Sequence, residues 1–445
     1  MTQSAPVPAA SFTVSMIGYG TVGRGVATLL RDHADLYTAR TGRAVRLGRV
    51  LVRDVAKARA AAQEAGDPDA ASRFTDDAAV FLEASADAVI EVAGGLDPVD
   101  GLMREALSAG RHVVTANKAL LAARGPALFA LAREQGVSIA FEASCGGGIP
   151  CVTALTAGLM ANDVTALYGI LNGTCNYILT EMTQRGKSYA QALAEAKEKG
   201  YAEADETLDV SGADAGQKLA ILASLAFGRQ INGDDVPCRG IDTLDQMDVA
   251  FGAEMGYDVK LIAAAERWQG HEEIGLSVAP CFIAKDQPLA QIHGSLNALA
   301  VEGDAVGPTL FVGAGAGQLP TASAVVGDLL NMVNGSYPAY FAAMRLTPDL
   351  HPSAVRVKED DLEGRWYVRL AAEDKPGVMA KVTDAFGRRE ISLSALLQHD
   401  AREGESTVPV VVTTHRATRG DVQAAANEIK ALDAIAGEPV LMRVL

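Results

Sequence analysis

The chain predicts an α/β protein: a doubly wound parallel sheet, then a second α+β domain, then a small C-terminal β-α-β-β-α-β unit. Three observations carry this. Short apolar strands alternate with helical patterns from Phe12 to Ile149. A glycine turn joins the first strand to the first helix. The last stretch, 365–445, orders as strand, helix, two strands, helix and strand. Strands alternating with helices at this spacing indicate βαβ units and parallel pairing.

The elements follow in order. Residues 1–11 read as a loose tail. FTVSMIG is a strand and TVGRGVATLLRDH a helix; VRLGRVLV is the second strand and ADAVIEVA the third. A helix through MREALSAG follows, then the strands HVVTAN and VSIAFEA with the helix ALLAARGPALFALAREQG between them. This first domain spans 12–149. Residues 150–345 open with long helical patterns: TALTAGLM, TCNYILTEMTQRG, SYAQALAEAKEKG and DAGQKLAILASLAFG. Strand-like alternation follows in EIGLSVAPCFIA and AVGPTLFVGAGAG, and TASAVVGDLLNMVNG closes the segment as a helix. A polar, proline-bearing stretch over 346–364 reads as a linker. The C-terminal order is ferredoxin-like.

Composition narrows the function. With 445 residues, 49% hydrophobic and 21% charged, the chain can build two or three cores. No apolar run approaches the roughly 20 residues that span a bilayer. The opening MTQSAPVPAASF lacks the basic start and long apolar core of a signal peptide, so a cytoplasmic protein is expected. A net charge of −16 repels nucleic acid and anionic lipid, and neither is expected as a partner. The five cysteines, Cys145, Cys151, Cys175, Cys238 and Cys281, form no CxxC and fit small buried hydrophobes in a reducing compartment.

The glycine turn is Gly18, Tyr19, Gly20, Thr21, Val22, Gly23. GxGxxG alone is weak; between a strand and a helix it marks a Rossmann-type dinucleotide site. Gly18 permits the tight turn, Gly20 lets backbone approach a pyrophosphate, and Gly23 lets helix and strand pack closely. After the second strand Arg53 precedes Asp54. Arg53 is either a 2′-phosphate contact or a solvated strand-end charge, and the expected cofactor is NADP or NAD, with NADP favoured. A second glycine loop, 313–317, fits either a close approach to the nicotinamide end or a flexible turn.

Hydride transfer at a carbonyl carbon needs a proton donor or acceptor beside the oxygen. The seven histidines stand isolated, so lysines are the candidates. Lys118 follows HVVTAN at a strand end, where open α/β sheets bind ligands, or it is a first-turn surface lysine. Asp214 lies four residues before Lys218, so both project from one helix face. The pair fits a helix cap with an ion pair, or a site. Upstream, the acids Glu203, Asp205 and Asp209 crowd a loop that starts at Gly200, more than a cap requires and suited to the amino group of a small zwitterion. Glu142, followed by the glycine-rich run to Pro150, suits a hard cation or a domain-crossing hinge.

Taken together, GYGTVGRG, TANKALLA, FEASCGGGIP, NGTCNYIL, GYAEADETLD, GADAGQKLAILA and GAGAGQLPTASAVVGD resemble the homoserine dehydrogenase family, in its longer form with a C-terminal ACT domain. The resemblance covers nearly the whole chain. It implies NAD(P)-dependent interconversion of L-homoserine and L-aspartate 4-semialdehyde, in the pathway to threonine, methionine and isoleucine. Lys218 matches the catalytic lysine, with Asp214 beside it, and Lys118 matches a lysine near cofactor and substrate. Glu203 matches the residue that binds the substrate amino group, and Asp209 lines that pocket with Asp205 in support. Gly173, Gly200 and Gly315 fall where backbone meets cofactor or substrate. Glu142, with the carbonyls of Cys145, Gly147 and Ile149, matches a sodium site. The loop beginning Asp374 and ending Gly377 is similar to an ACT effector loop, which implies threonine as a feedback ligand and a homodimer or homotetramer. Two departures stand out: Glu206 where the family often has proline, leaving it without a role, and Ala314 where the family often has proline in GPGAG.

Overall fold

A computed structural model describes residues 11–67, 69–202, 205–268, 273–399 and 406–445. Two compact units form, each from three separated segments: Met1–Thr165, Gln217–Val236 and Asn297–Ser353 in one, Ala166–Gly216, Pro237–Leu296 and Ala354–Leu445 in the other.

The first unit is built on a six-stranded parallel sheet. Its order is Phe74–Thr75, Val45–Leu51, Phe12–Ile17, Ala88–Glu91, His112–Thr115, Ile139–Ala140. The strand sequence runs outward from Phe12–Ile17 and then jumps to its other side, which creates a switch point between Phe12–Ile17 and Ala88–Glu91. Helices cover both faces, so the central strands are apolar without alternation: Val14, Met16, Val89 and Ile90 have no exposed surface. The helix Gln318–Val333 returns from late in the chain to this core, contributing Ala322, Val325, Val326 and Leu329. It packs so closely on Thr21–Asp32 that a Cβ at Gly25 would stand 2.8 Å from the Gln318 carbonyl oxygen. Each such valine or leucine contributes roughly 1.5–3 kcal/mol by leaving water.

The second unit carries a longer mixed sheet. Val164–Ile170 pairs antiparallel with Tyr257–Arg267, and that strand with Glu273–Ala284. The C-terminal β-α-β-β-α-β unit is present as Glu363–Ala372, Val378–Gly387, Leu393–Gln398, Val408–Thr414, Arg419–Lys430 and Ile435–Val444. Its sheet continues the first through a parallel pairing, Arg443 with Cys281 and Val444 with Phe282. Its own core is apolar, from Val368, Leu370, Val382, Phe386, Val410 and Ile429. The polar stretch before it carries a short strand, Val355–Arg356, paired parallel to Glu273–Ala284.

The α/β class, the parallel first sheet and the ferredoxin-like C-terminal order are as the sequence predicts. Among the described residues six strands go beyond the predicted elements: Val164–Ile170, Tyr257–Arg267 and Leu296–Gly303, and the two-residue Phe74–Thr75, Val355–Arg356 and Ala417–Thr418.

Candidate active site

In the first unit the glycine turn has the expected geometry. Gly18 sits at φ +96, and a Cβ there would lie 2.8 Å from the Ala93 amide nitrogen. A Cβ on Gly23 would stand 2.6 Å from the Gly18 carbonyl oxygen, so helix and turn touch through backbone alone. Around Gly20 nothing lies within 4 Å of that position. The helix Thr21–Asp32 starts there without a side-chain cap or an acid in its first turn, leaving a cradle of amides at its positive end. These features fit a dinucleotide pyrophosphate. Tyr19 lies edge-on to Phe74 at 4.8 Å, and burial raises its hydroxyl pKa. Val22 packs half-buried against the core.

The neighbouring strand ends are braced by polar contacts. Glu91, fully buried, accepts from the amides of Ala93 and Gly94 at 2.9 Å and from the Thr115 hydroxyl at 2.7 Å. Asn117 accepts from the Leu120 amide at 3.1 Å and donates to the Gly95 carbonyl at 2.7 Å. That cap starts the helix Lys118–Glu134, so Lys118 stands half-buried just beyond the strand His112–Thr115. At the second strand Asp54 caps the helix Val55–Glu64, accepting from the Lys57 amide at 2.9 Å, while Arg53 is exposed.

The Glu142 carboxylate faces inward. One oxygen accepts from the Val152 amide at 2.8 Å; the other accepts from the Thr153 amide at 2.8 Å and the Thr153 hydroxyl at 2.5 Å. It therefore holds the start of the helical turn at Cys151, which leaves backbone carbonyls as the donors for any cation in this loop. Burial raises the Glu142 pKa against those hydrogen bonds, and burial beside Glu142 raises that of Asp328, which accepts from the Glu142 amide at 2.9 Å. The loop meets the second glycine turn: Gly148 donates to the Ala314 carbonyl at 3.0 Å, and a Cβ on Gly147 would lie 2.5 Å from the Gly315 carbonyl. Cys145 is fully buried, and burial pushes its thiol up to about 12 although the ammonium groups of Lys218 and Lys118 both pull it down. The three side chains are therefore electrostatic neighbours, and the thiol stays protonated at neutral pH.

In the second unit Asn172 organises the acids. It caps the helix Gly173–Arg185 by accepting from the Cys175 amide at 2.8 Å. Its Nδ2 donates to Asp209 at 2.8 Å and to Asp214 at 2.9 Å. Asp214 and Asn172 are each 5% exposed, and a carboxylate held so deep needs such a donor. Asp205 is exposed; its pKa is lowered by the Thr207 hydroxyl first and then by the Thr207 amide, which donates to it at 3.0 Å. Gly200, at φ +74, ends the helix Tyr189–Glu198. Glu203 lies outside the described residues. The helix Ala213–Phe227 carries Asp214 and Lys218 one turn apart. Lys218 is only 9% exposed, because Leu219, Ala220, Leu222 and Ala223 draw the helix into the core.

Three family models match the chain in succession: the NAD-binding domain of homoserine dehydrogenase over 18–142, homoserine dehydrogenase over 150–330, and the ACT domain over 366–434. The homoserine dehydrogenase of Pseudomonas aeruginosa is 38% identical, over 97% of this chain and 98% of that protein. The chain belongs to the homoserine dehydrogenase family. It is a nicotinamide-dependent oxidoreductase of amino-acid biosynthesis. The Synechocystis homoserine dehydrogenase is also 38% identical, over 97% of this chain and 99% of its own. The crystal structure of a homoserine dehydrogenase from Thiobacillus denitrificans superposes with a TM-score of 0.91 at 38% identity, covering 99% of both chains.

Within this homoserine dehydrogenase fold, the first unit carries the glycine turn and joins the Glu142 loop to the 313–317 turn, with Lys118 and Lys218 near Cys145. Gly173, Asp209 and Asp214 gather around Asn172 in the second. Sequence reasoning missed Asn172 as an organiser; its signal was an asparagine directly before a helical pattern. It also left Glu206 unassigned, and Glu206 pairs with Lys197 at 2.6 Å, a partly exposed contact whose pull lowers the carboxyl pKa.

Proposed function

We propose that this enzyme interconverts L-homoserine and L-aspartate 4-semialdehyde, with Lys218 and Asp214 as its catalytic residues and Lys118 assisting. The observation that carries the reading is the buried Asp214 and Lys218 one turn apart on Ala213–Phe227, with Asp214 tied through Asn172 to Asp209. A nicotinamide cofactor held by Gly18, Tyr19, Gly20, Thr21, Val22 and Gly23, with Gly173 and Gly315, supplies or takes the hydride. Lys218 holds a proton at the oxygen of the reacting carbon; in the reducing direction its ammonium stabilises the growing alkoxide and protonates it. Asp214 orients that ammonium. Asp209 and Glu203 receive the substrate's own ammonium group, with Gly200 and Asp205 shaping the loop around it.

NADP is the preferred cofactor, because Asp54 is engaged as a helix cap while Arg53 stays exposed to meet a 2′-phosphate. A monovalent cation such as sodium takes the carbonyls of Glu142, Cys145, Gly147 and Ile149. The domains divide at 12–149, 150–345, the linker 346–364 and 365–445. The protein is a cytoplasmic homodimer or homotetramer. Self-association is supported by the edge strand Gly307–Ala314, which leaves Leu310 and Val312 37% and 45% exposed. Among the described residues no helix is long and apolar enough to cross a membrane. Threonine is the feedback effector at the ACT loop, where Gly377 at φ +86 opens an uncapped helix and Asp374 accepts from Gln398 at 3.2 Å.

Homoserine oxidation followed at the nicotinamide absorbance, with NADP and NAD in parallel and threonine present or absent, tests these points together. No turnover with either cofactor would overturn the reaction. Equal rates would overturn the cofactor preference, and indifference to threonine would overturn the feedback reading.

A further inference from the structure

Asn297, near the start of the strand Leu296–Gly303, is 1% exposed. Its Nδ2 and Oδ1 are both buried, and among the described residues neither has a hydrogen-bond partner. A primary carboxamide offers two N–H donors and an acceptor with two lone pairs. Leaving them all unmade in a protein interior is costly, whereas an apolar side chain of the same shape would fill the space without that penalty. The 313–317 turn runs directly against this group. A Cβ on Gly315 would fall 2.0 Å from both Cγ and Nδ2 of Asn297. From the other side, a Cβ on Gly147 would come within 2.5 Å of the Gly315 carbonyl. The Gly315 peptide is thus held between the Asn297 carboxamide and the Gly147 backbone, and two residues later Gly317, at φ +117, opens the helix Gln318–Val333 without a side-chain cap.

We propose that Asn297 is a positioning residue for the dehydrogenase reaction. Its carboxamide sets the height of the Gly315 peptide and makes its hydrogen bonds to the 313–317 turn when that turn closes on bound cofactor. Hydrogen bonds that form only when the turn is closed favour the closed arrangement over any other. The inference rests on the reading that Gly315 lies at the cofactor.

The variant Asn297→Leu keeps the branched shape, with somewhat bulkier methyl groups, and removes the hydrogen-bonding groups. Three quantities are measured on the full chain: the thermal midpoint without ligand, the Kd of NADPH by fluorescence titration, and kcat with KM for homoserine. The expected result is an unchanged or raised midpoint without ligand, together with NADPH affinity weakened by about tenfold and a lowered kcat. The midpoint rise that saturating NADPH gives the parent shrinks to match. Affinity and kcat within about twofold of the parent would overturn the proposal whatever the midpoint does, since a carboxamide satisfied by trapped water alone gives that result. If the leucine variant does not fold, Asn297→Asp, which keeps the shape and loses both donors, is read by the same criteria. A parent that binds no NADPH refutes the reading of the cofactor site; a parent that binds it beside an unaffected variant refutes only the role of Asn297.

Discussion

Two lysines of this chain are nearly sealed from water, and their surroundings differ in kind. Lys260 is 2% exposed in the strand Tyr257–Arg267. Its ammonium donates to the Ile292 carbonyl and to Asn176 Oδ1, and Asn176 donates in turn to the carbonyls of Ile292 at 3.2 Å and Leu296 at 3.0 Å. Lys218, 9% exposed, shares its helix face with Asp214 and acts on the Cys145 thiol together with Lys118. One asparagine serves each region, and the two stand one turn apart at the start of Gly173–Arg185: Asn172 on Asp209 and Asp214, Asn176 on Lys260. Around Lys260 the partners are backbone carbonyls and an amide, which close a structural node. Around Asn172 they are carboxylates, which a small cationic substrate group can approach. Burial alone is therefore a poor guide to a catalytic lysine, and the chemistry of its neighbours is the better one.

The strongest way to break this contrast is Lys218→Ala. Loss of a positioned acid–base group should lower kcat by about 10²–10⁴-fold, with a smaller change in KM. The thermal midpoint should fall as well, because alanine leaves a cavity and takes from the buried Asp214 its neighbour, so kcat is compared at a temperature where both proteins are folded. Turnover within a few fold of the parent would remove Lys218 from the chemistry and leave the two lysines alike.

The next test exchanges the asparagines. Asn172→Ala deprives Asp209 and Asp214 of their shared donor and the helix of its cap. kcat/KM for homoserine should fall about tenfold or more, with about 1 kcal/mol lost from stability. Asn176→Ala should instead leave the kinetics within about twofold and cost about 2 kcal/mol, since two carbonyls and the Lys260 ammonium lose a partner. Equal kinetic losses in both variants would mean that the two regions are not separate in function.

Much of this was visible in the sequence, for reasons particular residues make plain. Gly18, Gly20 and Gly23 declare themselves because each is needed where a Cβ would collide with backbone or block a ligand, and few other residues can stand there. Asp214 and Lys218 are visible because helical spacing places them together. Asn172 was not: a neutral asparagine before a helix reads as an ordinary cap, and its contacts to Asp209 and Asp214 reach 37 and 42 residues along the chain. The strand Tyr257–Arg267 was hidden by its alanines, poor strand formers that are buried along almost the whole length and so show no alternation. Lys260 was hidden with it, as a single charge in an apolar run. Glu206 looked like one more acid of the loop until its partner Lys197 was brought to it by the fold.

The smallest expected effect is also the most specific to Lys260. Burial depresses its pKa from 10.5 to about 8, opposed by the Asp258 charge. Between those values the unfolded chain binds more proton than the folded one, so this group makes stability rise with pH across about 8 to 10.5, and below that window it carries a constant penalty. Lys260→Met removes the titration, while the Ile292 carbonyl keeps its bond from Asn176. The variant should gain on the order of 1 kcal/mol at pH 7, the desolvation relief being partly offset by the lost hydrogen bonds. That advantage should shrink as the pH approaches 10.5, with activity unchanged throughout. Urea unfolding at pH 7, 9 and 10.5 reads the slope directly. A variant whose stability tracks the parent's at all three values would show that Lys260 is not the group that titrates, and the node would then owe its stability to Asn176 and the carbonyls alone.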